Sequence, residues 1–180
     1  MFQELVSELL KDGYNVSFNA PGHSMYPTIM ANEPVLVAPI EPSAVHKGDI
    51  VLYRSNGHLI AHRVMGIVSE DKANEFASLL DAFSHDDDYI YNGTNQKLDT
   101  GSGSPDKTPD GASLFFILRG DASLTYDEPV KSEQVLGKVI SIERNGSSVN
   151  PYSIKHKFAC WLFGLPSRLK MFLGLSATSQ

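Results

Sequence analysis

The chain has 180 residues, of which 42% are hydrophobic, with 10 Pro, 14 Gly and one cysteine, Cys160. That is enough for one domain with a real core, and too apolar and turn-rich for a disordered polymer. A formal net charge of −6 argues against a nucleic-acid-binding body, and a single cysteine excludes an intramolecular disulfide.

Residues 2–12 place Phe2, Leu5, Val6, Leu9 and Leu10 on one helical face, with Gly13 as a stop. The spacing predicts a short amphipathic helix docked on the core, within an N-terminal unit of residues 1–14. This start lacks a basic stretch followed by an apolar run, so no secretory signal is expected. No run of about 18 uncharged apolar residues occurs, so no spanning helix is expected either. The expected location is the cytoplasm.

The next segment, Gly22-His23-Ser24-Met25-Tyr26-Pro27-Thr28, presents a serine in a turn fixed by Gly and Pro. A serine hydroxyl becomes a useful nucleophile only when a neighbouring base takes its proton. Short strand patterns follow. Val35-Leu36-Val37-Ala38 lies between two prolines, and Asp49-Ile50-Val51-Leu52-Tyr53 follows Lys47-Gly48. Asn56-Gly57 marks a hairpin turn into a strand from Leu59 to Ile67. That strand carries His62 within Ile60-Ala61-His62-Arg63-Val64.

Residues 69–112 interrupt the pattern as an inserted excursion, with a helix expected at 71–83 and a short strand at 88–92. Its Asp86-Asp87-Asp88 run lacks the alternating ligand spacing of a calcium loop and reads as solvated. Strands resume at Leu114–Leu118 and Val135–Ile142. Between them stand Arg119-Gly120-Asp121 and Asp127. Antiparallel strands at this spacing predict a mainly β, barrel-like domain over residues 15–146.

The remaining stretch, residues 147–180, is a tail of different character. After Glu143 no acid occurs, while Arg144, Lys155, Lys157, Arg168 and Lys170 follow. Phe158, Trp161, Leu162 and Phe163 lie among these cations, and Pro166 divides the segment. Basic and aromatic residues together are the composition of an interfacial segment, so residues 154–175 are expected to form a helical tail in peripheral contact with a membrane or packed on the barrel. Cys160 has no motif around it and reads as a packing residue.

Ser24, His62 and an acid, in that order, can serve as nucleophile, base and orienting group. Asp121 and Asp127 are both candidates for the acid. His23 is a rival base, although neighbours in a turn tend to point apart. Alone, His62 would read as a half-buried strand histidine bonded to a backbone carbonyl. His46, His58, His85 and His156 show no metal-ligand spacing, and no cofactor or metal is expected.

Ser24-Met25-Tyr26-Pro27-Thr28 resembles the nucleophile box of type I signal peptidases and the LexA-like self-cleaving repressors. Lys47-Gly48-Asp49-Ile50-Val51 resembles the family's next strand, and Ile60-Ala61-His62-Arg63-Val64 its base-bearing strand. Arg119-Gly120-Asp121 with Asp127 resembles its Gly-Asp-Asn box and following acid, with Ala122 in place of Asn. Gln134-Val135-Leu136-Gly137-Lys138-Val139 resembles its last strand. The likeness covers residues 20–143 apart from the excursion. Histidine at position 62 resembles the archaeal and endoplasmic-reticulum branch, where other members carry lysine. A lysine base must lose about three pKa units to be neutral at pH 7, whereas histidine needs little shift.

The resemblance implies a serine endopeptidase. Ser24 would attack, His62 would move the proton, Asp127 would orient His62, and Asp121 would be a structural or assisting acid. It also implies a peptide or protein substrate, extended and signal-peptide-like or propeptide-like, bound by strand addition. Gly22 stands where many relatives carry a serine that helps bind the oxyanion, so backbone N–H groups such as that of Ser24 would do this. The family's usual transmembrane anchor is not expected here. A different class of function on the same fold is a non-catalytic peptide-binding or scaffold module. A self-cleaving regulator fits less well, because no DNA-binding unit precedes Ser24 and the base is not lysine.

Overall fold

The computed structural model describes residues 1–84 and 113–153. The expected strand at 88–92, the acidic triplet and the tail at 154–175 with Cys160 lie outside the described residues. The described chain is mainly β. One sheet of eight strands carries an N-terminal helix, α1 (Phe2–Lys11), and a second helix, α2 (Glu70–Ser84). The strands are β1 (Val16–Ala20), β2 (Glu33–Pro39), β3 (Ile50–Ser55), β4 (His58–Ser69), β5 (Leu114–Arg119), β6 (Val130–Lys131), β7 (Val135–Arg144) and β8 (Ser147–Val149).

Their spatial order is β1-β2-β7-β3-β4-β5-β6, with β8 paired to β7, and every pairing is antiparallel. The path is open: among the described residues no pairing joins β1 to β6. The closure that a barrel requires is therefore missing from these pairings, and β6, at two residues, ends one side with little edge to pair. The five expected strands that fall among the described residues form, and the expected helix at 71–83 falls within α2. β1, β6 and β8 are additional to the expected strands.

β3 explains how the core is divided. Ile50 and Leu52 join one apolar cluster with Val6, Leu10, Met25, Ile29, Val35, Val37, Val139 and Ile142. Val51 and Tyr53 join another with Val45, Val64, Phe116, Leu118, Val130 and Val135. Alternate residues of one strand thus serve opposite faces, as the period-two geometry of a strand demands. A strand buried on both faces reads as a continuous apolar run rather than an alternation. The β3–β4 hairpin pairs Ser55 with His58 across Asn56-Gly57, whose φ values of 48° and 76° are those of a tight primed turn. This register sets Val51 opposite His62 and fixes which face His62 occupies.

α1 docks through part of the expected face, Leu9 packing against the same cluster as Val6 and Leu10. Val6, Ser7 and Leu10 are buried, while Phe2 and Leu5 remain exposed. The Ser7 hydroxyl bonds to the Gln3 carbonyl and receives Arg54 at 2.7 Å, so a polar anchor occupies part of the docking side. Phe2 meets the edge of Phe18 on β1, with ring centroids 6.1 Å apart.

Candidate active site

Ser24 lies in the turn-rich connection between β1 and β2. Two apolar side chains anchor this segment: Met25 and Ile29 are buried in the first cluster, and the Ile29 N–H donates to the Met25 carbonyl at 2.9 Å. Full burial of such side chains is worth about 1.5–3 kcal/mol each. The Tyr26–Pro27 peptide is cis. His23, immediately before the serine, is exposed.

A second loop braces the turn from the other side. The Ala122 N–H donates to the Ser24 carbonyl at 2.8 Å. Gly120 lies so close that a Cβ there would fall 2.6 Å from the Ser24 carbonyl oxygen and 2.9 Å from the Ser24 Cβ. Only glycine allows this approach without displacing the serine.

His62 on β4 is 7% exposed and faces the same side as Val64 and Ile60. Its Nε2 is 2.9 Å from the Ser24 hydroxyl, and its Nδ1 is 2.6 Å from Asp127 Oδ2. A carboxylate only accepts, so the Nδ1–H donates to Asp127. In the neutral ring Nε2 is then an acceptor and takes the Ser24 hydroxyl proton. Tyr53 donates its own hydroxyl to the same Asp127 oxygen at 3.0 Å. Its 3.5 Å separation from Nδ1 is a near approach rather than a good hydrogen bond.

The loop between β5 and β6 presents Asp127. Its N–H donates to the Leu118 carbonyl at 3.0 Å. The preceding Tyr126 is held by Phe76 of α2, an edge contact of 5.4 Å, and by the Arg119 guanidinium 5.1 Å from its ring centroid. The start of the excursion thus supports the acid.

Asp121 has a separate place. Arg63 grips it with two hydrogen bonds of 2.7 and 2.6 Å, and the Thr28 hydroxyl donates to it at 2.5 Å. Arg63 also reaches the Gly48 carbonyl at 2.9 Å. A bidentate guanidinium–carboxylate pair fixes orientation as well as charge. Thr28 belongs to the same turn segment as Ser24, so Asp121 ties that segment to β4 without touching His62.

Ser24, His62 and Asp127 are therefore brought together, while Asp121 is in the adjoining brace. Sequence reasoning missed Tyr53 as a site residue. The signal was available: a tyrosine in the buried run of β3 needs a partner for its hydroxyl. Burial, followed by the charge of Asp127 and its hydrogen bond, pushes the Tyr53 phenol well up from its ordinary value, so it stays a neutral donor. Among the described residues no group of His, Cys, Asp and Glu is arranged to hold a metal ion. No helix among them is long and apolar enough to cross a membrane. The chain matches no protein-family model and no curated protein.

Proposed function

We propose that this protein is a serine endopeptidase, signal-peptidase-like, that hydrolyses an extended peptide or protein substrate. The observation that carries the reading is the continuous relay from the Ser24 hydroxyl through both nitrogens of His62 to Asp127, at 2.9 and 2.6 Å. Three residues far apart in sequence converge with the donor and acceptor order that acyl transfer requires. The open antiparallel sheet, with the nucleophile in a turn and the base on a strand, is in keeping with a signal-peptidase/LexA-type fold.

In the proposed reaction the Ser24 oxygen attacks the scissile carbonyl carbon while its proton passes to His62 Nε2. Asp127 keeps the imidazole oriented and stabilises the imidazolium. Collapse of the tetrahedral intermediate breaks the C–N bond, and His62 gives its proton to the leaving amine. Water then attacks the acyl-serine, losing a proton to His62, and as the acyl C–O bond breaks His62 returns that proton to the Ser24 oxygen, leaving the free hydroxyl and the new carboxyl end. Among the described residues the Ser24 N–H has no backbone acceptor, which leaves it available to the developing oxyanion.

The substrate is expected to carry small side chains near the cut and to bind by strand addition. The cations and aromatic residues of 154–175 support peripheral contact with an anionic membrane from the cytoplasmic side. Incubation with a library of extended peptides, read by mass spectrometry, tests the activity. Cleavage that disappears in Ser24→Ala and His62→Ala supports the peptidase. Binding without cleavage by the native chain would replace it with a peptide-binding module.

A further inference from the structure

Tyr53 is 1% exposed, and its ring sits in the second apolar cluster with Val51, Val64 and Phe116. A phenylalanine would fill this space equally well, and the hydroxyl carries the extra chemistry. That hydroxyl is 3.0 Å from Asp127 Oδ2, the same oxygen that His62 Nδ1 approaches at 2.6 Å. Two donors on one carboxylate oxygen share its charge. The carboxylate is thereby anchored at that oxygen and draws the imidazolium less strongly.

We propose that Tyr53 is a positioning residue that locks the Asp127 carboxylate against His62 and moderates its hold on the imidazole proton. It acts through Asp127 and has no part in bond making. The inference rests on the reading of Ser24, His62 and Asp127 as a catalytic set and assigns a fourth residue to it. A base held too firmly in its imidazolium form returns its proton to the leaving amine slowly, and a base held too weakly does not take it from serine. A second neutral donor on the orienting acid adjusts this balance without adding charge.

Among the described residues three groups face His62. Tyr53 approaches from β3, Asp127 from the loop after β5 and Ser24 from the turn after β1. Its neighbour Arg63 is engaged by Asp121, Gly48 and Thr28. Arg119 lies over Tyr126, and Asp49 at the head of β3 pairs with Lys138. The phenol remains protonated because burial, more than the charge and hydrogen bond of Asp127, pushes its ionisation up.

The test is an NMR titration of ring-labelled His62 in the full chain, for the native protein, Tyr53→Phe, Asp127→Asn and the double variant. Removing the phenol proton donor leaves Asp127 a stronger acceptor, so Tyr53→Phe is expected to raise the His62 midpoint by about half a pH unit or more. The same change made on Asp127→Asn should move nothing. An unmoved or lowered midpoint in Tyr53→Phe overturns the proposal, as does an equal shift that persists without the Asp127 charge. Fluorotyrosine at position 53, a stronger donor with an unchanged fold, should lower the midpoint, and a rise would contradict it. These readouts need no turnover, so loss of the peptidase reading and loss of the Tyr53 role are separate results.

Discussion

The Ala122 N–H donates to the carbonyl oxygen of Ser24 across 2.8 Å, joining the loop after β5 to the turn after β1. The contact holds the backbone of the nucleophile rather than its side chain, so the hydroxyl remains free to move toward a substrate. The same loop runs on to Asp127 and thus supplies both a backbone brace and an orienting acid.

Gly120 permits that brace. A methyl group at its Cα would meet Ser24 at 2.6 and 2.9 Å, well inside ordinary contact. Gly120→Ala should cost about 1–3 kcal/mol of stability, as overpacking does. It should also lower turnover by more than its effect on folding explains. Denaturant unfolding and kcat on the same preparation check this.

Asp121 should matter to folding first. Asp121→Ala removes two hydrogen bonds from Arg63 and one from Thr28 and leaves a part-buried guanidinium without its acid. A loss of about 3 kcal/mol is expected, near the lower end for breaking a buried pair because both side chains keep some exposure. Asp127→Ala leaves the buried Tyr53 hydroxyl and His62 Nδ1 without their acceptor, a loss of about 1–3 kcal/mol, and should in addition reduce kcat by on the order of 10⁴-fold. Comparing the two variants by urea denaturation and peptide hydrolysis separates the brace from the acid.

Much of this was legible in the sequence. Asn56-Gly57 marked the β3–β4 hairpin, and the strand expected from Leu59 to Ile67 falls within β4 and carries His62. The same turn dipeptide recurs at Asn145-Gly146, with φ values of 52° and 72°, and was the available signal for β8. β1 was harder to read, because only Val16 is buried in its Val-Ser-Phe-Asn-Ala run and its pairing with β2 is a long-range matter. The α1 face was legible at Val6, Leu9 and Leu10, which pack on the core, whereas the exposure of Phe2 and Leu5 and the Arg54–Ser7 contact depend on tertiary approach. The choice between Asp121 and Asp127 also needed three dimensions, since only the fold shows Arg63 taking one and His62 the other.

Alkali should loosen the fold through Tyr152. Burial pushes its phenol from 10.0 up to about 12, the largest cause being loss of water, while its hydroxyl bridges the Ile50 N–H and the Val139 carbonyl. A group whose ionisation is raised on folding contributes stability that is complete below its unfolded value and declines as pH passes through the folded one. Stability should therefore fall between about pH 10 and 12, with Tyr53 adding to the fall, and Tyr152→Phe should remove the share that Tyr152 contributes. Urea midpoints measured across this range test the sign.

The basic tail should bind anionic vesicles weakly, and more so at low salt. Each Lys or Arg near such a surface contributes about 1 kcal/mol, and buried aromatic residues add an apolar contribution. A truncation after Ser153 keeps the Tyr152 bridge to β3 and β7 and so isolates the tail. Co-sedimentation of the intact chain but not the truncated one is expected. Equal partitioning of both would place the tail on the protein body and favour a soluble substrate.

The Ser24–His62 contact of 2.9 Å should make one serine hydroxyl reactive above the rest. A serine-reactive acylating probe, followed by digestion and mass spectrometry, measures this directly. A single adduct on Ser24 is expected, lost in both Ser24→Ala and His62→Ala. No adduct on the folded native chain, or labelling of Ser24 undiminished in His62→Ala, would contradict it.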